Sequence, residues 1–175
     1  MPLDDRGRSR DDDAFDELFV REWPRVVRIA QQITHSLPRS EEVAQDVFLA
    51  FHRRFPDELP ERPGAWLHRS CARAALNDVR SERRRRSREE REARLGTAPA
   101  PDPGEVAAAR EEVRSVREAL GRLKAGQAEL LALRYGGLSY NEIAQATGVP
   151  VGQIGTRLHR AEMSLRREMQ HAARN

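Results

Sequence analysis

Apolar residues recur along this chain at spacings of three and four, not two, which predicts helices almost throughout and nearly no strand. Phe15, Leu18, Phe19, Val26, Val27, Ala30 and Ile33 mark the first helix, from Ala14, with Pro24 expected to kink it or to start a second one. The segment from His35 to Arg39 breaks the pattern. Ser40 is the expected N-cap of the next helix, where Glu41 and Glu42 suit the positive end of the dipole and Val43, Val47 and Phe51 share one face. The three prolines between Pro56 and Pro63 predict a stiff, non-helical loop. A helix from about Ala65 past Arg80 then buries Leu67, Cys71, Ala74 and Ala75 and carries Arg69, Arg73, Arg80 and Arg84 on another face. From Ser81 to Arg94 the composition is almost wholly Arg and Glu, a charged extension with little to bury.

The Pro- and Ala-rich stretch Gly96–Gly104 reads as an extended linker. Beyond it, Val106, Val113, Val116, Ala119, Leu120 and Leu123 mark one helix, and Leu130, Leu131, Leu133 and Tyr135 another. Gly136 and Gly137 break the chain before Ser139, an N-cap for the next helix. The run from Leu138 to Arg160 then has the pattern of a helix-turn-helix: Ala144 permits a close helix crossing, Gly148 tolerates positive φ in the turn, and Ile154 plugs the joint. Ile154, Leu158, Ala161 and Leu165 form one apolar stripe. Gln153, Thr156, Arg157, His159, Arg160 and Arg167 lie off it, which suits a helix laid in a major groove, although a helical hairpin with a solvated basic face satisfies the same pattern. The expected organisation is all-α: an acidic disordered tail (1–13), one helical domain (14–94), a linker (95–105) and a second small helical domain (106–172).

Composition agrees with short, exposed helices, at 34% charged and only 5% aromatic residues. The formal charge is +3, but the signs are segregated: an acidic N-terminus and arginine-rich segments at 69–94 and 157–174, the footprint of a nucleic-acid binder. A single cysteine, Cys71, excludes an intramolecular disulfide and a cysteine-based zinc site. With no apolar run of membrane-spanning or signal-peptide length, a cytoplasmic location is expected, and no membrane insertion. The five histidines show no ligand spacing and no nucleophile stands beside a base, so no enzyme, metal or cofactor is expected.

Two separate signatures, in order, resemble the group IV (extracytoplasmic-function) sigma factors of bacterial RNA polymerase. Residues 40–51 resemble the family's region 2.2, residues 63–69 through 77–80 its regions 2.3 and 2.4, and Leu120–Leu123, Leu130–Tyr135 and the helix-turn-helix its region 4. The resemblance implies a specificity subunit that binds core polymerase through Glu42, Gln45, Asp46 and Leu49. It implies that Trp66, Arg69, Arg73, Asn77 and Arg80 melt the minus-10 element and hold its single strand, and that Gln153, Thr156, Arg157, His159 and Arg160 read the minus-35 element. A lone Trp opening a helix is also a common core anchor. An anti-sigma factor is the further implied partner. The chain departs from the family with Gly155 where Lys or Arg is usual, Arg73 where Asn is common and Asn77 where Asp is common. The alternatives are a helix-turn-helix regulator, which would normally dimerise and lacks the heptads to do so, and a sigma mimic that binds an anti-sigma partner without productive core binding.

Overall fold

The computed structural model describes residues 10–93 and 105–172, and every regular element among them is an α-helix. In chain order these are α1 (Arg10–Thr34), α2 (Leu37–Arg54), α3 (Pro63–Ala93), α4 (Glu105–Arg122), α5 (Ala125–Tyr135), α6 (Tyr140–Thr147) and α7 (Val151–Ala172). Of the tail expected at 1–13, residues 10–13 belong to α1; residues 1–9, and 95–104 of the expected linker, lie outside the described residues.

Three expectations are corrected. The first helix begins at Arg10, not Ala14, and Pro24 lies inside it without starting a second one. Proline deprives the Val20 carbonyl of its helical donor, but Val20 and Pro24 are both exposed, so water serves that acceptor. The second helix begins at Leu37 with Ser36 at the N-cap, not Ser40. Pro38 is the reason: in the first turn its missing N–H has no intrahelical acceptor to satisfy, so what reads as a breaker is an opener. Ser40 is fully buried instead, its hydroxyl donating to the Ser36 carbonyl at 2.7 Å and standing 2.8 Å from the Thr34 hydroxyl. Tyr135, expected in an apolar set, is 56% exposed.

Helices α1, α2 and the first half of α3 pack around Phe51, which is wholly buried and touches the rings of Phe15, Phe55 and Trp66. Trp66 meets Phe51 and Phe55 edge-on, at 5.4 and 5.8 Å between centroids, as an anchor of this unit. Helices α4 to α7 bury Leu131, Leu133, Ile143, Ile154, Leu158 and Ala161. The two units are not separate bodies: their buried side chains form one continuous cluster. Gly136 makes the closest approach, where a Cβ would stand 2.6 Å from Ile29 Cγ1, so any other residue there would push α5 off α1.

Candidate nucleic-acid and polymerase interfaces

The helix-turn-helix is built by local rules. Ser139 caps α6 in a reciprocal capping box: its hydroxyl accepts from the Glu142 N–H, while the Glu142 carboxylate accepts from the Ser139 N–H at 2.8 Å. Gly148 ends α6 in the left-handed conformation with φ 74°. Ile154, Leu158 and Ala161 of α7 are buried, with Leu165 packed partly against them. All five expected minus-35 residues, Gln153, Thr156, Arg157, His159 and Arg160, are exposed along the opposite side of the helix. Arg157 donates to the Gln153 amide oxygen at 2.9 Å, which holds both at the same level of the exposed face. At Gly155 an added Cβ would make only ordinary contact with the Tyr140 ring, at 3.5 Å, so packing does not require glycine there.

The expected minus-10 residues share α3, but most of them already have partners in the second unit. The Glu129 carboxylate of α5, itself buried, accepts from Arg69 Nε at 2.8 Å and from Arg73 Nε at 3.2 Å. Arg80 donates to the Leu123 carbonyl at 3.4 Å. Asn77 is exposed, and Trp66 is the half-buried anchor described above. Further ion pairs across the same joint are Arg25 with Glu142, Arg86 with Glu118 at 3.2 Å and Arg117 with Glu82. Burial pushes the Glu142 carboxyl up, but the Ser139 N–H and hydroxyl and the Arg25 guanidinium outweigh it and bring it down to about 2.

Sequence reasoning did not single out Glu129 or Glu142. Glu129 had a signal: it is the one charged side chain within the otherwise apolar run Ala128–Leu133, and a buried carboxylate needs a cationic partner. Which partner it finds depends on how the two units meet.

On α2, Glu42, Gln45, Asp46 and Leu49 are exposed on one face, spaced by helical turns, with Val43, Ala44, Val47 and Phe48 buried behind them. Leu49 is 52% exposed, an apolar point within an acidic surface. Arg39 bonds Glu42 at 2.6 Å and reaches across to Asp78 of α3 at 2.8 Å, holding that carboxyl below its ordinary range.

Two buried polar groups in the first unit are structural. His68 Nε2 stands 2.8 Å from the Glu22 carboxylate with both side chains almost fully enclosed. Burial lowers the His68 pKa more than Glu22 raises it, whereas the Glu22 carboxyl, pushed up by burial, is brought below its ordinary value by Arg21 and His68. At neutral pH a neutral His68 therefore donates from Nε2 to an ionised Glu22. Burial raises the Cys71 thiol to about 12 and its S–H points at the Val26 carbonyl, 3.2 Å away, so it is an inert core group. Among the described residues no three His, Cys, Asp or Glu side chains gather as a metal site, and no helix is long and apolar enough to cross a membrane.

Comparison with known proteins separates the same two units. Residues 18–85 match the model of Sigma-70 region 2, and residues 114–165 match that of Sigma-70, region 4. Similar relatives include the ECF RNA polymerase sigma factor SigK of Mycobacterium tuberculosis strain H37Rv, 31% identical over 166 residues, which cover 92% of this chain and 88% of that protein. SigK of Mycobacterium sp. strain KMS is 31% identical over 157 residues, covering 86% and 80%. Among solved structures, CnrH in complex with the cytosolic domain of CnrY shares the fold, with TM-score 0.53 and 24% identity over 91% of this chain and 89% of that one. Two family models matched in order, with relatives at this identity along nearly the whole length, establish that the chain belongs to the ECF sigma factors of the sigma-70 family.

Proposed function

We propose that this chain is a promoter-specificity subunit that binds core RNA polymerase through the exposed face of α2, reads a minus-35 element with α7, and melts and holds the minus-10 strand with α3. The observation that carries this reading is the α7 face: five polar or basic side chains lie open on one side of a helix whose other side is locked into the core. Exposed Arg157 and Arg160 suit phosphate or guanine contacts, while Gln153, Thr156 and His159 offer further groups to base edges. On α2, Glu42, Asp46 and Leu49 present acidic groups around an apolar point, which suits a basic partner surface with one apolar socket.

The strand-holding step requires a rearrangement. Arg69 and Arg73 bond Glu129, and Arg80 bonds the Leu123 carbonyl, so a DNA strand gains these donors only by displacing α5 and the end of α4 from α3. Core polymerase, by engaging both units at separated sites, supplies the free energy for that exchange. Sigma factors are non-enzymatic, and here too the role is one of binding and positioning. Such a factor works in the cytoplasm, and an anti-sigma partner that holds the two units together would keep the α3 arginines on protein.

The test is initiation by purified protein and bacterial core polymerase on a randomised promoter library, with the transcripts sequenced. The expected result is core-dependent transcription from templates sharing a two-element motif. Duplex binding without core-dependent transcription would leave a helix-turn-helix regulator or a sigma mimic instead.

A further inference from the structure

Beyond Arg80, α3 continues for more than three turns that bury almost nothing: residues 81–92 are Ser, Arg and Glu alone, and none of them is buried. A helix face kept without a core to cover has another use or none, and the arrangement of its charges distinguishes the two. At about 100° per residue, Arg69, Arg73, Arg80, Arg84, Arg88 and Arg91 fall within one sector about 100° wide. Every acidic residue of α3 between them, Asp78, Glu82, Glu89, Glu90 and Glu92, lies outside that sector.

In the second half of α3 pairing follows nearly the same division, Arg83 lying about 40° outside the sector. Arg85 and Arg86, off the sector, pair with Glu89 and with Glu82 and Glu118. Among the described residues no carboxylate pairs with Arg83, Arg84, Arg88 or Arg91, and Arg84 meets only the Ser81 hydroxyl, at 3.0 Å. Arg83, Arg84, Arg88 and Arg91, with Ser87, line an open groove of about 410 Å³. A merely solvated helix would spread its arginines among its glutamates in i,i+4 pairs. Here the pairing is spent on one side and withheld on the other.

We propose that this second half of α3 is a further DNA-contacting surface, in which Arg83, Arg84, Arg88 and Arg91 take phosphates of duplex DNA. It continues onto the double helix the stripe that holds the single strand, and its place on the promoter rests on the function proposed above. Geometry and chemistry both favour this ligand. Arg69 and Arg91 are about 33 Å apart along the helix axis, which at about 3.4 Å per step spans roughly ten nucleotides of a backbone. One straight helix therefore crosses from strand to duplex. The guanidinium fork matches phosphate in two-point contacts, and Lys124 is the only lysine in the chain. The described residues that line their groove are Arg and Ser alone, so it offers no apolar side chain to insert into a lipid bilayer. Unlike Arg69 and Arg73, these groups bond no carboxylate among the described residues, so they can touch DNA before the two units part.

The experiment uses the full chain and three probes: a duplex of about 20 base pairs of arbitrary sequence, the same duplex with a single-stranded extension of about 10 nucleotides, and that extension alone, each titrated at several salt concentrations. The R83A/R84A/R88A/R91A variant is expected to bind both duplex-containing probes at least about tenfold more weakly, with a log–log salt slope lower by about 3 to 4, near 0.9 per phosphate contact. Its binding to the extension alone and to core polymerase should not change. Alanine is a better helix former than arginine, so the helix survives, and replacing the same four residues by lysine should restore most of the slope. Wild-type affinity and slope in the alanine variant would overturn the proposal. Loss of core polymerase binding with an unchanged DNA slope would overturn it in favour of an acidic protein surface. A slope that falls in a chain unable to bind core polymerase would uphold the DNA surface and remove the sigma-factor reading alone.

Discussion

The molecule carries two surfaces suited to DNA, and they are kept in opposite states. On α7 the candidate contacts are solvent-facing, and the one bond among them, Arg157 to Gln153, lies within the face itself. On the first half of α3 the arginines are already bonded to protein, two of them to the buried Glu129 carboxylate. An open surface binds at the cost of ordering a few side chains. A paired one must first lose its internal partner, so its apparent affinity is reduced by the fraction of molecules that are closed. Both surfaces are arginine-rich, so composition does not distinguish them. The difference lies in what packs opposite.

Four measurements break or sharpen that contrast. The largest effect is expected from Arg157→Ala with Arg160→Ala: about 1–3 kcal/mol of duplex affinity per residue, read by fluorescence anisotropy, with the melting temperature unchanged because both side chains are exposed. A fall in melting temperature would show that these groups hold the fold.

Glu129→Gln should act with the opposite sign on the other surface. Its two arginine partners are part-exposed, so the stability cost is modest, about 1–2 kcal/mol in chemical denaturation. Strand binding by the free chain should rise about fivefold as the closed arrangement loses its central pairs. Reduced strand binding would mean that Glu129 orients Arg69 and Arg73 for DNA instead of withholding them.

Gly155→Arg should raise folding stability by about 1 kcal/mol from helix propensity, and should strengthen duplex binding as far as the new guanidinium reaches a phosphate. The Cβ has room against Tyr140, so weakened binding with lowered stability would show that the glycine is needed for the angle of α7.

The smallest effect is on stability against pH. His68 is lowered in the folded state, so its contribution is fully present above its unfolded value, near 6.5, and declines as pH falls below that. Glu142 is lowered to about 2, so its contribution is present above about 4.5 and is lost between there and 2. Melting temperatures should therefore fall in two stages on acidification. His68→Gln should shrink the first, whose remainder belongs to His35, itself lowered by burial and by Arg117, and leave most of the second.

Much of this was legible in the chain. The Ser139 cap, the left-handed Gly148 and the stripe Ile154, Leu158, Ala161 are local matters, set by residues within a turn or two of one another. The exposed face of α2 and the arginine stripe of α3 follow from helical spacing alone. Pro24 starts no second helix and Pro38 opens one instead of breaking it, because the effect of a proline depends on where the acceptor it deprives lies, and spacing does not record that. Trp66 is a core anchor, not a free platform, because Phe51 and Phe55, distant in sequence, close on it.

The sequence by itself therefore determined the helices, their buried and polar faces, the helix-turn-helix and the family, because each rests on short-range periodicity or on ordered motifs. Only the tertiary structure decided which arginines are free. Arg69 and Glu129 are separated by 60 positions and Arg25 and Glu142 by 117, and no local rule connects them. They meet because Gly136 lets α5 lie against Ile29 and a single apolar cluster joins both units. That packing places a buried carboxylate over the first half of α3 and, in the second half, pairs Glu82 and Glu118 with Arg117 and Arg86, leaving Arg84, Arg88 and Arg91 with no carboxylate among the described residues.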